Sequence, residues 1–223
     1  MIQTMFEKLQ CLPLLMGLSI NDLMDIVEQV KFEFKKYQEG DIIASQGDKC
    51  DKIIYVLNGD LCALKRDTRR EFMICEYFNK LYYIIEPQNV WGMNQRYERT
   101  YSFTSDGSTC VIDKQQMNFL LSRYEIIKTN FISLICSRIQ SATYILSQSI
   151  PNSTEQRIVF FMKNNKVFLK GRTEIKVKMQ KLANIVSDTR LNVSKVLNLW
   201  QNNGLAHIKR GVVIIPDDTK LFD

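Results

Sequence analysis

Over residues 30–112 the chain alternates short runs of β-branched and aromatic residues with turn formers. "KFEFKKY" leads into "QEGD", "IIAS" into "QGDKCD" and "KIIYVL" into "NGD"; "LCALKR", "EFMICEY", "YYIIEP" and "STCVID" follow. Runs of this length broken at such short intervals predict an antiparallel barrel or sandwich of about eight strands. Asn58-Gly59 falls between two of the runs, and because both residues tolerate a positive φ the pair predicts a hairpin there.

From Lys114 to Ser149 the apolar spacing lengthens to about three and a half residues, and the stretch contains neither Gly nor Pro. Phe131, Leu134, Ile135, Ile139, Ala142, Ile145 and Leu146, with Arg138 on the same stripe, predict one long helix. About 30 helical residues span roughly 45 Å, more than is needed to cover a small barrel. The stripe is narrow and heptad-like, so the helix is expected to pair with its own copy in a homodimer.

Pro151 ends that helix, and "PNSTEQ" opens another, with Ser153 and Gln156 at the spacing of a capping box. A hinge is expected here. Further on, "KMQKLANIV" (178–186) gathers Leu182, Ile185 and Val186 on one face, beside an Ala183 small enough for a second helix to cross closely. "SDT" turns the chain, and Thr189 is suited to cap the next helix. Two short helices about a tight turn predict a helix-turn-helix. On the second helix Val193, Val196, Leu197 and Trp200 gather on one side and Leu191, Lys195, Asn198 and Asn202 opposite, flanked by Ser194.

The polar face suits a DNA major groove. Arg190, in the first turn, and Lys195 match guanine O6/N7 or phosphate, and Asn192 or Asn198 matches adenine. Leu191 is either a contact for a thymine methyl group or an ordinary exposed leucine. After the helix, "GLAHIKRGVVIIPD" reads as two strands joined at Lys209-Arg210-Gly211, a wing whose two cations suit flanking phosphates.

Charge strengthens this reading. Residues 1–150 carry 17 Lys and Arg against 18 Asp and Glu, whereas residues 151–223 carry 13 against 6. The net charge of +6 therefore resides in the last third, as expected where double-stranded DNA is the partner. Three parts are expected: a sensor barrel with N-terminal helices (1–113), a long dimerisation helix and hinge (114–150) and a winged helix-turn-helix (151–223). The fold class is α+β.

Other chemistry is sparse. No run approaches a membrane span and no basic-then-apolar leader opens the chain, so a cytoplasmic protein with no membrane partner is expected. The six cysteines lie 12 or more residues apart, without metal-type spacing, and are read as reduced thiols; a redox role for Cys62, Cys75 or Cys110 on the barrel strands stays open. With one histidine, no G-x-S-x-G, no P-loop and no paired-carboxylate motif, nothing marks an enzyme or implies a metal or cofactor.

"LANIVSDTRLNVSKVLNLWQNNGLAHIKRGVVIIPD" (182–217) resembles the DNA-binding segment of the Crp/Fnr family of bacterial transcription regulators. "YQEGDIIASQGDKCDKIIYVLNGDL" (37–61) is similar to that family's cyclic-nucleotide-type jelly-roll barrel, with turn glycines at Gly40, Gly47 and Gly59. The resemblance covers essentially the whole chain and implies a homodimeric regulator on a near-palindromic site, with half-sites about one helical turn apart. The alternative is a small-molecule-responsive module with loose DNA association. Activation would also need a surface for RNA polymerase, which no local chemistry identifies.

The departures are informative. Ser187 stands where the family has Gly, Lys178 where a Ser or Thr cap is common, and Leu191 and Lys195 where Glu and Arg are usual. A left-handed Ser187 would cost about 1 kcal/mol. In the sensor, "VWGMNQRYERTYSFTSDG" (90–107) has Met93 after Gly92 where cyclic-nucleotide binders place a ribose-binding Glu, and Arg99-Thr100 is at most a remnant of the phosphate-binding pair. Gly92, Met93, Arg96, Arg99 and Thr100 are the candidate effector residues, with the effector itself unidentified and usual cyclic AMP binding not expected. Iron–sulfur sensing lacks its clustered cysteines, and haem its histidine, since His207 falls in the wing. Arg96, Arg99 and the aromatic-rich segment 76–87 either line a pocket for an anionic or planar ligand or, for the aromatics, form strand core.

Overall fold

The computed structural model describes residues 5–146, 151–168 and 170–222. Helices α1 (Met5–Gln10) and α2 (Ile20–Gln29) lead in, the second closed by a capping box between Ser19 and Asp22. Then come β1 (Glu33–Tyr37), β2 (Ile42–Ala44), β3 (Lys52–Asn58), β4 (Leu61–Asp67), β5 (Phe72–Phe78) and β6 (Tyr83–Ile84). The short helix α3 (Pro87–Trp91) precedes β7 (Thr100–Phe103) and β8 (Gly107–Asp113). The expected antiparallel barrel is present as two facing sheets, β1-β8-β3-β6 and β5-β4-β7-β2, around Tyr55, Leu61, Tyr101 and Phe103.

The Asn58-Gly59 turn forms, with Gly59 at φ +98°, but the expected hairpin does not. β3 pairs with β8 and β6, and β4 with β5 and β7, so the turn carries the chain from one sheet to the other. A Cβ at Gly59 would stand 2.7 Å from the Phe103 ring and 2.8 Å from the Cα of Gly107. Glycine is thus required for close approach as well as for its dihedral angle.

The single long helix expected from residue 114 onward is two. α4 (Lys114–Arg123), capped by Asp113, ends at an extended Tyr124 (φ −116°, ψ 104°), and α5 (Glu125–Leu146) starts afresh. Packing explains the break. α4 buries Met117 and Leu120 in the barrel core, and α5 must turn to bring Ile127, Phe131 and Leu134 onto the same core. No Gly or Pro marks the site, because the cause is contact with the barrel and not local propensity.

The C-terminal part comprises α6 (Thr154–Asn165), β9 (Arg172–Val177), α7 (Met179–Ile185), α8 (Arg190–Asn202), β10 (His207–Lys209), β11 (Val212–Ile215) and α9 (Thr219–Phe222). Ser153 and Gln156 make the capping box that opens α6. A second core forms around Ile158, Met162, Leu182, Val193, Leu197 and Trp200, and it also takes in Phe72 and Ile74 of barrel strand β5. β9 pairs with β11 on one side and with β5 on the other, in register from Phe72↔Val177 to Tyr77↔Arg172. One seven-stranded sheet, β10-β11-β9-β5-β4-β7-β2, therefore runs through both cores. Burial of Phe72 and Ile74 stabilises this junction by about 1.5–3 kcal/mol each.

Candidate nucleic-acid interface

The turn between α7 and α8 is held by polar contacts from within the turn and from α6. Ser187 adopts φ +52°, the left-handed conformation for which glycine is favoured, and its carbonyl accepts from Arg157 Nη1 at 3.0 Å. The Asp188 carboxylate accepts from the Thr154 hydroxyl at 2.5 Å, the Thr189 N–H at 2.7 Å and Asn192 Nδ2 at 2.8 Å. These donors, the Thr154 hydroxyl foremost, hold Asp188 below the usual carboxylate range. Thr189 caps α8 by accepting from the Asn192 N–H at 3.2 Å. Lys178, before α7, makes no side-chain cap.

Packing then fixes which face of α8 is outward. Val193, Leu197 and Trp200 are buried and Val196 half-buried, and the Trp200 indole N–H donates to Glu155 Oε1 at 2.6 Å, tying α8 to α6. Ala183 is fully buried at the α7 crossing. On the opposite face Arg190, Leu191, Asn192, Lys195 and Asn198 are exposed and Ser194 is half-buried. Asn192 differs from the rest in having its amide nitrogen engaged by Asp188. Lys209 ends β10 and Arg210 stands at the wing tip beside Gly211, both cations exposed. The geometry therefore presents, on one helix and one hairpin tip, hydrogen-bond donors and positive charge with none of the described residues folded over them.

The sensor residues are not brought together. Met93 points fully into solvent, Gly92 follows the end of α3, and Arg96 donates to the Gly47 carbonyl at 2.6 Å. The Thr100 hydroxyl oxygen accepts from the Gln46 N–H at 3.0 Å. Arg99 alone turns inward, 8% exposed, 3.9 Å from a carboxylate oxygen of Glu76 and of Glu86. Those two glutamates are what sequence reasoning missed. Glu86 accepts from Asn89 Nδ2, the Glu98 N–H and the Tyr101 hydroxyl; Glu76 accepts from the Val167 and Phe168 N–H groups just beyond α6. Burial raises the pKa of both, against the pull of those donors and of Arg99. A glutamate on a run otherwise apolar, "FMICEYF", was the available signal, but its partners lie about 90 residues away.

The cysteines are all free. Burial pushes the Cys110 thiol up to about 12, which leaves it unreactive. Cys62 is half-buried and Cys75 is buried, and the neighbouring Cys62 thiol lowers the Cys75 pKa.

On α5 the expected stripe divides. Phe131 and Leu134 pack on the chain's own barrel, and Arg138 donates to the Ile84 carbonyl at 2.7 Å and to Gln88 Oε1 at 3.0 Å. Ile135 is half-buried, Ile139 and Ala142 are exposed, and the Ile145 side chain lies outside the described residues. Among the described residues no helix is long and apolar enough to cross a membrane.

No family model and no curated protein matches the sequence. Solved structures do match. A transcriptional regulator assigned to the Crp/Fnr family, from Eubacterium rectale, is 18% identical, with a TM-score of 0.54 over 94% of this chain and 96% of that one. The Catabolite Activator Protein of Thermus thermophilus is 16% identical, with a TM-score of 0.50 over 94% of this chain and 96% of its own. The chain therefore shares the fold of those two proteins over nearly its whole length.

Proposed function

We propose that this protein is a sequence-specific DNA-binding transcription regulator of the Crp/Fnr type, working as a homodimer on a near-palindromic site. The observation that carries the reading is α8: capped by Thr189, anchored on one side by Trp200 and presenting Arg190, Lys195 and Asn198 on the other. Arg190 and Lys195 read base edges, Asn198 has the donor and acceptor pair for adenine, and Lys209 and Arg210 of the wing bind phosphate. Thr189, Ser194 and Asn192 line the approach, with Asn192 serving the turn through Asp188. The likeness to two proteins described as regulators supports the same assignment.

The dimer seam runs along Ile132, Cys136 and Ile139, all exposed and spaced four and then three residues apart, which is a heptad pattern. Two α5 helices joined there place Cys136 opposite Cys136. Mild oxidation should give a disulfide-linked dimer that Cys136→Ser abolishes; a cross-link surviving that change would remove this seam.

The DNA reading is tested by selecting genomic fragments with purified, dialysed protein at moderate salt, with and without cyclic AMP. Enrichment of one palindromic site without nucleotide is expected. Enrichment only with cyclic AMP would mean that the sensor holds the nucleotide despite Met93. Fragments retained without sequence preference would favour loose association.

A further inference from the structure

One run on the barrel departs from the charge balance of the first 150 residues. "KRDTRR" (65–70) carries four cations against one carboxylate and forms the end of β4 and the turn into β5. Lys65 is half-buried and donates to Asn165 Oδ1 at 3.0 Å. Arg66, Arg69 and Arg70 are exposed, and none has a carboxylate within ion-pair distance among the described residues. Like charges held this close on one turn repel one another unless an anion lies against them.

The sheet topology aligns this turn with the wing. β9 runs antiparallel to both β11 and β5, so the β10–β11 turn, the C-terminal end of β9 and the β4–β5 turn stand at one end of the seven-stranded sheet. The Val177 N–H donates to the Gly211 carbonyl of the wing at 2.9 Å, and Val177 is the register partner of Phe72, where β5 begins. Lys181 of α7 donates to Glu71 Oε1 at 2.7 Å, which ties the barrel turn to the first helix of the helix-turn-helix. The turn is closed on itself by the Arg70 N–H, which donates to Asp67 Oδ1 at 2.9 Å.

Exposed cations without an ion pair among the described residues therefore form a row: Lys209 and Arg210 on the wing, Lys178 at the head of α7, then Arg66, Arg69 and Arg70 on the barrel. From β10 to β4 is four strand spacings, roughly 19 Å. That is the length of about five or six base pairs of duplex. A compact anion would reach one end of such a row, whereas a line of phosphates matches all of it.

We infer that the β4–β5 turn of the barrel belongs to the DNA-contacting surface, with Arg69 and Arg70 holding backbone phosphates beside those held by the wing. The contact carries no sequence information and adds affinity on any duplex that α8 engages. It rests on the DNA reading proposed above, but it needs only that DNA is bound, not that bases are read.

The test compares Arg69→Ala/Arg70→Ala with wild type, full-length, by the slope of log affinity against log salt concentration and by the phosphates whose ethylation blocks binding to the selected site. Each phosphate contact supplies about 0.9 of slope, so a dimer losing one per protomer should fall by at least about 1.8. At least one phosphate per half-site should drop out of the ethylation pattern. Arg69→Lys/Arg70→Lys should keep most of both, since a phosphate asks chiefly for charge. Lys36→Ala/Lys52→Ala, which removes the same charge from exposed positions on the other barrel sheet, should change neither. An unchanged slope and pattern in the arginine variant, or an equal loss in the Lys36/Lys52 variant, would overturn the inference while leaving a site-selective wild type as it was. A wild type that binds every duplex alike would end the regulator reading alone, because the slopes can then be compared on any duplex. Absence of all DNA binding would end both.

Discussion

The turn that positions α8 and the inward cluster around Arg99 are both polar and both depart from the pattern of the family they resemble, yet they differ in how far along the chain their partners come from. The turn is held mainly by neighbours in sequence, with one bond each from Thr154 and Arg157 of α6: Thr189 caps α8 by accepting from the Asn192 N–H, and Asp188 takes donors from the next residue and from four residues on. The Arg99 cluster is held by strangers, with Glu76, Glu86 and the backbone of Val167 and Phe168 converging from three elements. Local devices tolerate a substitution such as Ser187 at about the cost of one strained residue. Converging buried charges do not, because each member left alone is an uncompensated charge.

Removing Arg99 should therefore give the largest effect. Arg99→Ala leaves Glu76 and Glu86 facing one another's surroundings without their cation, and a loss of about 3–5 kcal/mol is expected in chemical denaturation at pH 7. Both carboxyls have raised pKa values, so their burial is tolerated below the unfolded value near 4.5 and becomes a growing penalty as pH rises through the folded values. The loss in Arg99→Ala should accordingly shrink as the denaturation is repeated toward pH 5. A pH-independent loss would show that packing, not charge, is what Arg99 supplies.

At the turn the expected changes are smaller. Ser187→Gly relieves the left-handed strain and should stabilise by about 1 kcal/mol, read as a shift of the denaturation midpoint without a change of slope. Asp188→Asn probes the same turn by pH. The depressed Asp188 pKa means that its stabilising bonds are complete above the unfolded value near 3.8 and are lost as pH falls through the folded one. The asparagine variant should flatten the acid limb of the stability curve. Least of all, Met93→Ala should change stability by less than about 0.5 kcal/mol, because the side chain touches solvent alone. A larger loss there would mean that residues 92–100 form a site after all.

The same contrast explains what the sequence disclosed. The cap and the buried face of α8 were legible because helix periodicity and capping are rules of short range, satisfied within residues 187–204. The strands of the barrel were legible as strands, but their pairing was not: Asn58-Gly59 specifies a turn, and only the rings and backbone of Phe103 and Gly107 decide that β3 and β4 part there. The break at Tyr124 and the pairing of β5 with β9 were equally hidden, since both follow from surfaces that meet only in the folded chain. Glu76 looked like a polar residue on a strand until Val167 and Phe168 came to it.

The central claim is that the outward face of α8 reads bases. It is tested most directly by measuring, at fixed salt, the affinity of wild type and of Arg190→Ala for every single-base variant of the selected site. The account predicts that Arg190→Ala relaxes discrimination at one position in each half-site by about 1–3 kcal/mol and leaves the other positions as they were. A loss spread evenly over all variants would place Arg190 on phosphate, and α8 would then hold DNA without reading it.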